Sequence, residues 1–600
     1  MAKLETAVNG TVDGVAEGKV PVLAQRNQSL TQRIPTWSRL TIGDWFDRLA
    51  TEFADREHIF TLEQCYTYAQ SRQMVDRLAK SLIKLGVARR EHVALLFPTV
   101  PEMVFLQLAL AKVGAVSVPL NERLGVDELE YQIRQSDSVY LIAMDAYGDR
   151  NYIEKIRAIM PKMRSTTDAQ RTDMLPALRS VVVESPSRTR HEGALDWEDF
   201  LRLGESVSDE MLNERQRASR YPDEVVLICY TSGTTGSPKG VMLTHDMLMR
   251  SAYSAVLTQG FVDGERLASP LPLHHIFIYV EGFLATLFVG GTYIPQALFD
   301  AGEFLKLLAA SKATRIESVP TIAIALLNHP DLKQYDLGTL RSMKNAAAAT
   351  PLWVWEALRR DLGISEVCTA WGMTELSAAA MYTPFGAPLQ IVTTTVGIEN
   401  PGGVAGQDEF AGALVEFKLI DPLTKEELPC DVQEGELAVR GNIVTRGYYK
   451  KPIETGEAID KDGWLRTGDV FTRRDDGYYM ITGRAKDLYK IGGEQVAPKE
   501  VEEMICRHEA VNQIYICGVP DERMGEVGAA FVQLKQGQSC TQAELEAFVE
   551  SKIARFKIPK YWVFVDEFPT TATGKVQKFI LRKIATEEFR LTDINSRHAG

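Results

Sequence analysis

Apolar side chains in the segment 71–87, SRQMVDRLAKSLIKLGV, recur at Met74, Val75, Leu78, Leu82 and Ile83 before Gly86. Spacings of three and four residues place them on one face, which predicts an amphipathic helix packed on a sheet and closed by the glycine. The period then changes. HVALLFP from His92 is a continuous apolar run that reads as a buried strand, PEMVFLQLALAKVG as a helix ending at Gly114, and AVSVPLN as the next strand. The same alternation returns in VYLIAMD, VVLICY, GTYIP and RIESVP. It predicts an α/β fold of mostly parallel, layered sheets with helices on both faces, whose chemistry lies at the carboxyl ends of strands.

Past about Gly402 the texture turns to short strands separated by turns, GALVEFKLIDP, GELAVRG and GYYMITGR, which predicts a small antiparallel or β-barrel-like section. Beyond Asp487, the helix pattern APKEVEEMICRHE and the strands VNQIYICGVP and GAAFVQL suit a separate small α+β domain. The expected division is a disordered or frayed tail over 1–34, a large N-terminal domain over 35–486 and a small C-terminal domain over 487–600.

Composition narrows the partners. With 45% hydrophobic and 24% charged residues the chain has the balance of a globular enzyme. Its net charge of -13 disfavours nucleic acid, which is held by clustered Lys and Arg. The 7 cysteines form no CxxC pair, neither a disulfide framework nor a zinc pattern, and a reducing cytoplasm is the expected location. The N-terminus has no apolar core of a secretory signal, and the longest apolar run, from Gly282, is about 14 residues, short of a membrane span.

The densest candidate chemistry is YTSGTTGSPKGVMLTH, from Tyr230 to His245, directly after VVLICY. Glycines let backbone N–H groups turn inward, hydroxyls add donors and Lys239 supplies a compact positive charge, a set suited to polyphosphate oxygens. A P-loop requires a lysine directly after the last glycine, whereas Lys239 lies between Pro238 and Gly240. No GxGxxG follows a strand, so a dinucleotide dehydrogenase has no anchor.

The segment TSGTTGSPKGVMLTH resembles the phosphate loop of the acyl-adenylate-forming enzymes, which include acyl-CoA synthetases, adenylation domains of peptide synthetases and beetle luciferases. The resemblance continues in order through LPLHHIF at Leu271, AWGMTE at Ala370, WLRTGD at Trp464, GRAKDLYKIGGEQVAPKEVE at Gly483, GVPDERMGE at Gly518 and PTTATGKVQK at Pro569. It implies a two-step reaction. A carboxylate attacks the α-phosphate of ATP, giving acyl-AMP and pyrophosphate, and a thiol then takes the acyl group.

The resemblance also implies the parts. Thr231, Ser232, Gly233, Thr234, Thr235, Gly236 and Lys239 would hold the β- and γ-phosphates. Trp371 would stack on adenine beside Gly372, Ala346 and Ala347, Thr374 would donate to the α-phosphate, and Glu375 would hold Mg²⁺ with Thr231 as a further metal-side ligand. Asp469 would accept from the ribose hydroxyls and Arg484 would reach ribose and phosphate. Lys575 would bridge carboxylate and α-phosphate in the first step. Asp487 stands at the hinge about which the small domain would swing, and Gly492 and Gly493 would line the thiol tunnel. The acyl pocket would include His274, His275, Phe277 and Met373. Two places depart from the family pattern. His274 stands where an aromatic residue is commoner, which leaves open which histidine gates the pocket, and KNAAAATPL at Lys344 replaces a Gly-Gly-Ala run with Asn345, Ala346 and Ala347.

The apolar neighbours Ile278, Tyr279 and Ala378, with no aspartate near His275 to balance an ammonium, point to a hydrophobic acid. The expected enzyme is an AMP-forming acid–CoA ligase using ATP and Mg²⁺, on a fatty or aryl acid. The alternative is a stand-alone ligase that loads a carrier-protein phosphopantetheine.

Overall fold

The helical period around Leu78 is realised as the helix Tyr68–Leu85, opened by a reciprocal capping box between Thr67 and Gln70 and closed by Gly86 at φ 92°. Val75, Leu78 and Leu82 are fully buried. The protein is seen in a computed structural model that describes residues 19–160, 175–231, 238–422, 424–429, 431–485, 487–491, 494–496, 498–521, 523–550, 552–570, 576–589 and 591. Ser232, Gly233, Thr234, Thr235, Gly236, Gly492, Gly493 and Lys575 lie outside the described residues. The chain packs as two units, 1–416 with 439–465, and 417–438 with 466–600.

The first unit holds two seven-stranded sheets. One runs in the order Glu366–Cys368, Ser342–Asn345, Arg315–Ser318, Arg266–Ser269, Thr292–Pro295, Glu57–Phe60, Cys65–Thr67, all parallel except the last pair. The other runs Lys239–Thr244, Val225–Thr231, Val116–Pro119, His92–Leu96, Tyr140–Met144, Ser180–Glu184, Leu195–Asp196, parallel except the first pair. Near-continuous apolar strands such as Tyr140–Met144 are buried on both faces, as parallel sheets require. A short antiparallel sheet of Ala370–Met373, Ala378–Tyr382 and Ile398–Glu399 carries the AWGMTE segment. The apolar run from Gly282 continues a buried π-helical turn, Ile278–Leu284, and ends in the strand Thr292–Pro295. Among the described residues no helix is long and apolar enough to cross a membrane.

The barrel-like section is a four-stranded sheet in the order Val415–Ile420, Glu434–Gly441, Leu465–Arg473, Tyr479–Arg484. The small α+β part packs the helices Pro498–Ile505 and Lys578–Glu588 on the long hairpin Val511–Asp521 and Gly525–Leu534. A cross-strand pair in that hairpin, Gly518 and Gly528, forms the slot for the buried Tyr489 ring. An added Cβ on Gly518 would lie 2.4 Å from the Cβ of Tyr489.

The expectation of a frayed tail over 1–34 is corrected for its second half. Lys19–Arg33 form a helix. Arg26 grips both oxygens of Glu366 at 2.9 and 2.6 Å, Asn27 donates to the Leu257 carbonyl at 2.8 Å and Arg33 to the Phe288 carbonyl at 2.7 Å. Long-range partners supply the order that a weak hydrophobic period does not announce.

Candidate active site

Four segments of the first unit converge. The strand Val225–Thr231 brings Thr231 to the end of its sheet, and the register pairs Thr231 with Lys239 across an antiparallel ladder. The strands Val225–Thr231 and Lys239–Thr244 are thus adjacent, with Thr244 capping the helix His245–Gln259 just beyond. Two residues before Thr231, Cys229 donates its Sγ–H to the His274 carbonyl at 3.4 Å. Burial, with Glu375 nearby, pushes the Cys229 thiol up to about 12, so it stays neutral. The strand Val225–Thr231, the paired histidines and the Glu375 turn therefore meet at one buried thiol.

Glu375 sits in the one-turn helix Thr374–Leu376 that follows the strand Ala370–Met373. The backbone after it is strained: Ser377 has φ 56° and Ala378 φ 112°, the left-handed side that favours glycine. Ser377 Oγ donates to the Ile443 carbonyl at 2.8 Å and the Thr445 N–H to the Glu375 carbonyl at 2.8 Å, holding that conformation. Tyr448, on the segment that pairs with the strand Lys239–Thr244, donates its hydroxyl to Glu375 Oε1 at 2.9 Å. Burial and the carboxylate push the Tyr448 phenol up, so it remains a donor. The Lys239 ammonium lies 4.9 Å from the centre of the same ring. A carboxylate and a lysine thus both contact one phenol at the start of the strand Lys239–Thr244. A buried carboxylate beside a lysine suits a magnesium-bound triphosphate, since Mg²⁺ takes one or two carboxylates and fills its remaining positions with phosphate oxygens and water.

The two histidines are held differently. His274 Nδ1 is 3.3 Å from Glu122 Oε2, and Glu122 Oε1 accepts from Arg150 at 2.7 Å. Burial alone would raise the Glu122 carboxyl, but His274 and Arg150 outweigh it and bring it down to about 2. His275 accepts the Phe277 N–H on Nδ1 at 3.3 Å. Phe277, Ile278, Tyr279 and Ala378 are buried, and Met373 is half-buried. Trp371 is buried within its hairpin, and an added Cβ on its neighbour Gly372 would lie 1.9 Å from the Ala378 carbonyl oxygen. Ala346 is buried, while Ala347 is exposed with φ 68°.

In the second unit Asp469 and Arg484 are register partners on neighbouring strands, joined by an ion pair of 3.0 Å. Asp487 follows in a turn, its N–H donating to the Arg484 carbonyl at 2.9 Å.

Sequence reasoning missed Tyr448, Glu122 and Arg150. Tyr448 meets Glu375 across 73 residues of chain, and no local spacing announces such a contact.

Known proteins are similar to this chain over most of its length. The family model of the AMP-binding enzyme matches residues 46–449, and that of the AMP-binding enzyme C-terminal domain matches residues 500–575. YngI of Bacillus subtilis, which bears the name of an acyl-CoA synthetase, is 37% identical over 555 residues, covering 92% of this chain and 98% of its own. The mitochondrial medium-chain acyl-CoA ligase ACSF2 of Danio rerio is 31% identical over 559 residues, 92% of this chain and 89% of its own. The crystal structure of the anthranilate CoA ligase AuaEII with anthranoyl-AMP superposes with a TM-score of 0.76 at 25% identity, covering 94% of this chain and all of the other. The loop-end lysine, the turn-held carboxylate and the paired histidines thus belong to a member of the AMP-binding enzyme family, an AMP-forming acid–CoA ligase.

Proposed function

We propose that the acid activated by this ligase is hydrophobic, fatty or aryl, and that the acceptor is the thiol of CoA. The observation that carries the reading is the apolar wall beside His275. Phe277, Ile278, Tyr279 and Ala378 are all buried, with Met373 half-buried at its edge. Such a wall rewards hydrocarbon at about 0.8 kcal/mol per buried CH₂ and offers a substrate ammonium no direct counter-charge. The names of YngI and ACSF2 as acyl-CoA ligases support it.

In the first step a carboxylate oxygen forms a bond to the α-phosphorus and the bond to pyrophosphate breaks. Thr231, Lys239 and the loop residues 232–236 would hold the β- and γ-phosphates, Thr374 would donate to the α-phosphate, and Glu375, oriented by Tyr448, would hold Mg²⁺ with Thr231, the ion neutralising phosphate charge. Trp371, Gly372, Ala346 and Ala347 receive adenine, Asp469 and Arg484 the ribose, and Lys575 neutralises charge between the reactants. In the second step the thiol sulfur bonds to the acyl carbon, AMP leaves and the thiol proton is lost. Asp487 would serve as the hinge between the two steps, and Gly492 and Gly493 would admit the thiol. His275 gates the acid, because the contact with Glu122 fixes His274 in place.

The test is a pyrophosphate-release screen over aliphatic, aryl and amino acids, with and without CoA. Hydrophobic acids with CoA should give turnover. Turnover only with a carrier protein carrying phosphopantetheine would replace CoA as acceptor, and preference for amino acids would overturn the substrate class.

A further inference from the structure

Behind the acid wall the first unit buries three ionisable groups. Lys344, on the strand Ser342–Asn345, lies 2.6 Å from Glu281 Oε2 and 2.7 Å from Glu317 Oε2, and all three side chains are essentially inaccessible. Glu281 belongs to the π-helical turn Ile278–Leu284 that continues from His275 and Phe277. Its second oxygen, Oε1, accepts the Ala379 N–H at 2.7 Å. The Lys344 ammonium lies 4.7 Å from the centre of the Phe277 ring.

Such a cluster is an expensive way to fill a core, because burying each charge costs several kcal/mol and apolar residues of similar volume are often as stable or more so. What it adds is direction. One carboxylate holds three pieces of backbone in a fixed relation: the acid-wall helix, the strand leading to Ala346 and Ala347, and the residue directly after the strained pair Ser377–Ala378. That strained pair follows Glu375. Burial opposes charge on Lys344, yet Glu281 and Glu317 raise it above its usual value. Burial pushes the Glu317 carboxyl up to about 7.

We infer that Glu281, braced by Lys344, is a positioning residue that sets the acid-binding wall in register with the Glu375 turn, so that the bound carboxylate meets the α-phosphate in line. The inference rests on the assignment of the His275–Phe277 wall to the acid. Small errors in such alignment cost rate more than binding. In Glu281→Gln, the kcat of acid-dependent pyrophosphate release should fall tenfold or more, with the KM for ATP changed less than threefold. Discrimination between the best acid and one two methylenes longer should shrink towards one. Glu281→Asp, which keeps the charge but retracts it by one methylene, should show the same signature.

A structural role and a positioning role separate in the triple variant Glu281→Leu, Glu317→Leu, Lys344→Met, which removes the buried charges together. The inference expects this protein, where it folds, to remain slow and undiscriminating. Wild-type kcat and discrimination in the triple variant, or in folded Glu281→Gln and Glu281→Asp, overturn it. Loss of rate in strict proportion to loss of folded protein, read by thermal unfolding of the same samples, also overturns it. The wild-type screen is read first. If wild type turns over no hydrophobic acid, the substrate reading fails, and the comparison of variants is then made with whichever acid wild type does use.

Discussion

Ala347 holds a left-handed backbone, φ 68°. The conformation costs an alanine about 1–2 kcal/mol, and glycine in its place would give back about 0.4–1 kcal/mol through the freer unfolded chain. The balance favours glycine, so Ala347→Gly should stabilise the protein by up to about 1 kcal/mol, seen as a higher midpoint of thermal unfolding. The departure from Gly-Gly-Ala was legible in the sequence, but its backbone angle was not. Glu122 gives a second residue-scale expectation. Its carboxyl is lowered in the folded state, so its contribution is present above the ordinary glutamate range near pH 4.5 and is lost as pH falls towards 2. The contribution is roughly 3 kcal/mol at most. The stability gap between wild type and Glu122→Gln, measured by urea unfolding, should be widest above pH 5 and narrow steadily on acidification. A gap independent of pH would show that the carboxylate's charge is not what holds His274. The residues that carry motifs were readable because chemistry restricts their types. Glu122, Arg150 and Tyr448 were not, because ion pairs and phenols are specified by distant partners.

Among elements, the hairpin of Ala370–Met373 and Ala378–Tyr382 shows what a motif glycine does. An added Cβ on Gly372 would sit 1.9 Å from the Ala378 carbonyl oxygen and 2.4 Å from the Ala379 Cα. Both obstacles are backbone, so the strands themselves must part. Gly372→Ala should cost at least about 2 kcal/mol and carry the Glu375 turn out of place, with pyrophosphate release falling further than folded protein measured by calorimetry. Near-native release would show that the hairpin tolerates the shift. Strand and helix types were legible where burial is two-sided or one-sided over a long run, as in Tyr140–Met144 and Tyr68–Leu85. The strand Lys239–Thr244 was not, because the glycine-rich composition before it and the helix signal after it mask a short ladder made only by its pairing with Val225–Thr231.

At the scale of the whole molecule, the proposed roles fall in both family domains, and the assignment to the first step can be tested through Lys575. Lys575→Ala should abolish acyl-adenylate formation while leaving thioester formation from supplied acyl-adenylate largely intact, followed by separate assays of the two half-reactions. Equal loss of both would remove Lys575 from the first step. The helix Lys19–Arg33 bears on how the protein can be handled. Through Arg26 it covers Glu366 on the outermost strand of a seven-stranded sheet and lies over the Phe385 ring at 4.8 Å. A chain begun at residue 35 would expose that strand's unpaired backbone and an aromatic face together, a template for pairing with other chains. Such a truncation should raise light scattering on warming and on concentration, well before the catalytic residues are disturbed. A helix far along the chain from the motif residues would then decide how the protein keeps apart from its own copies.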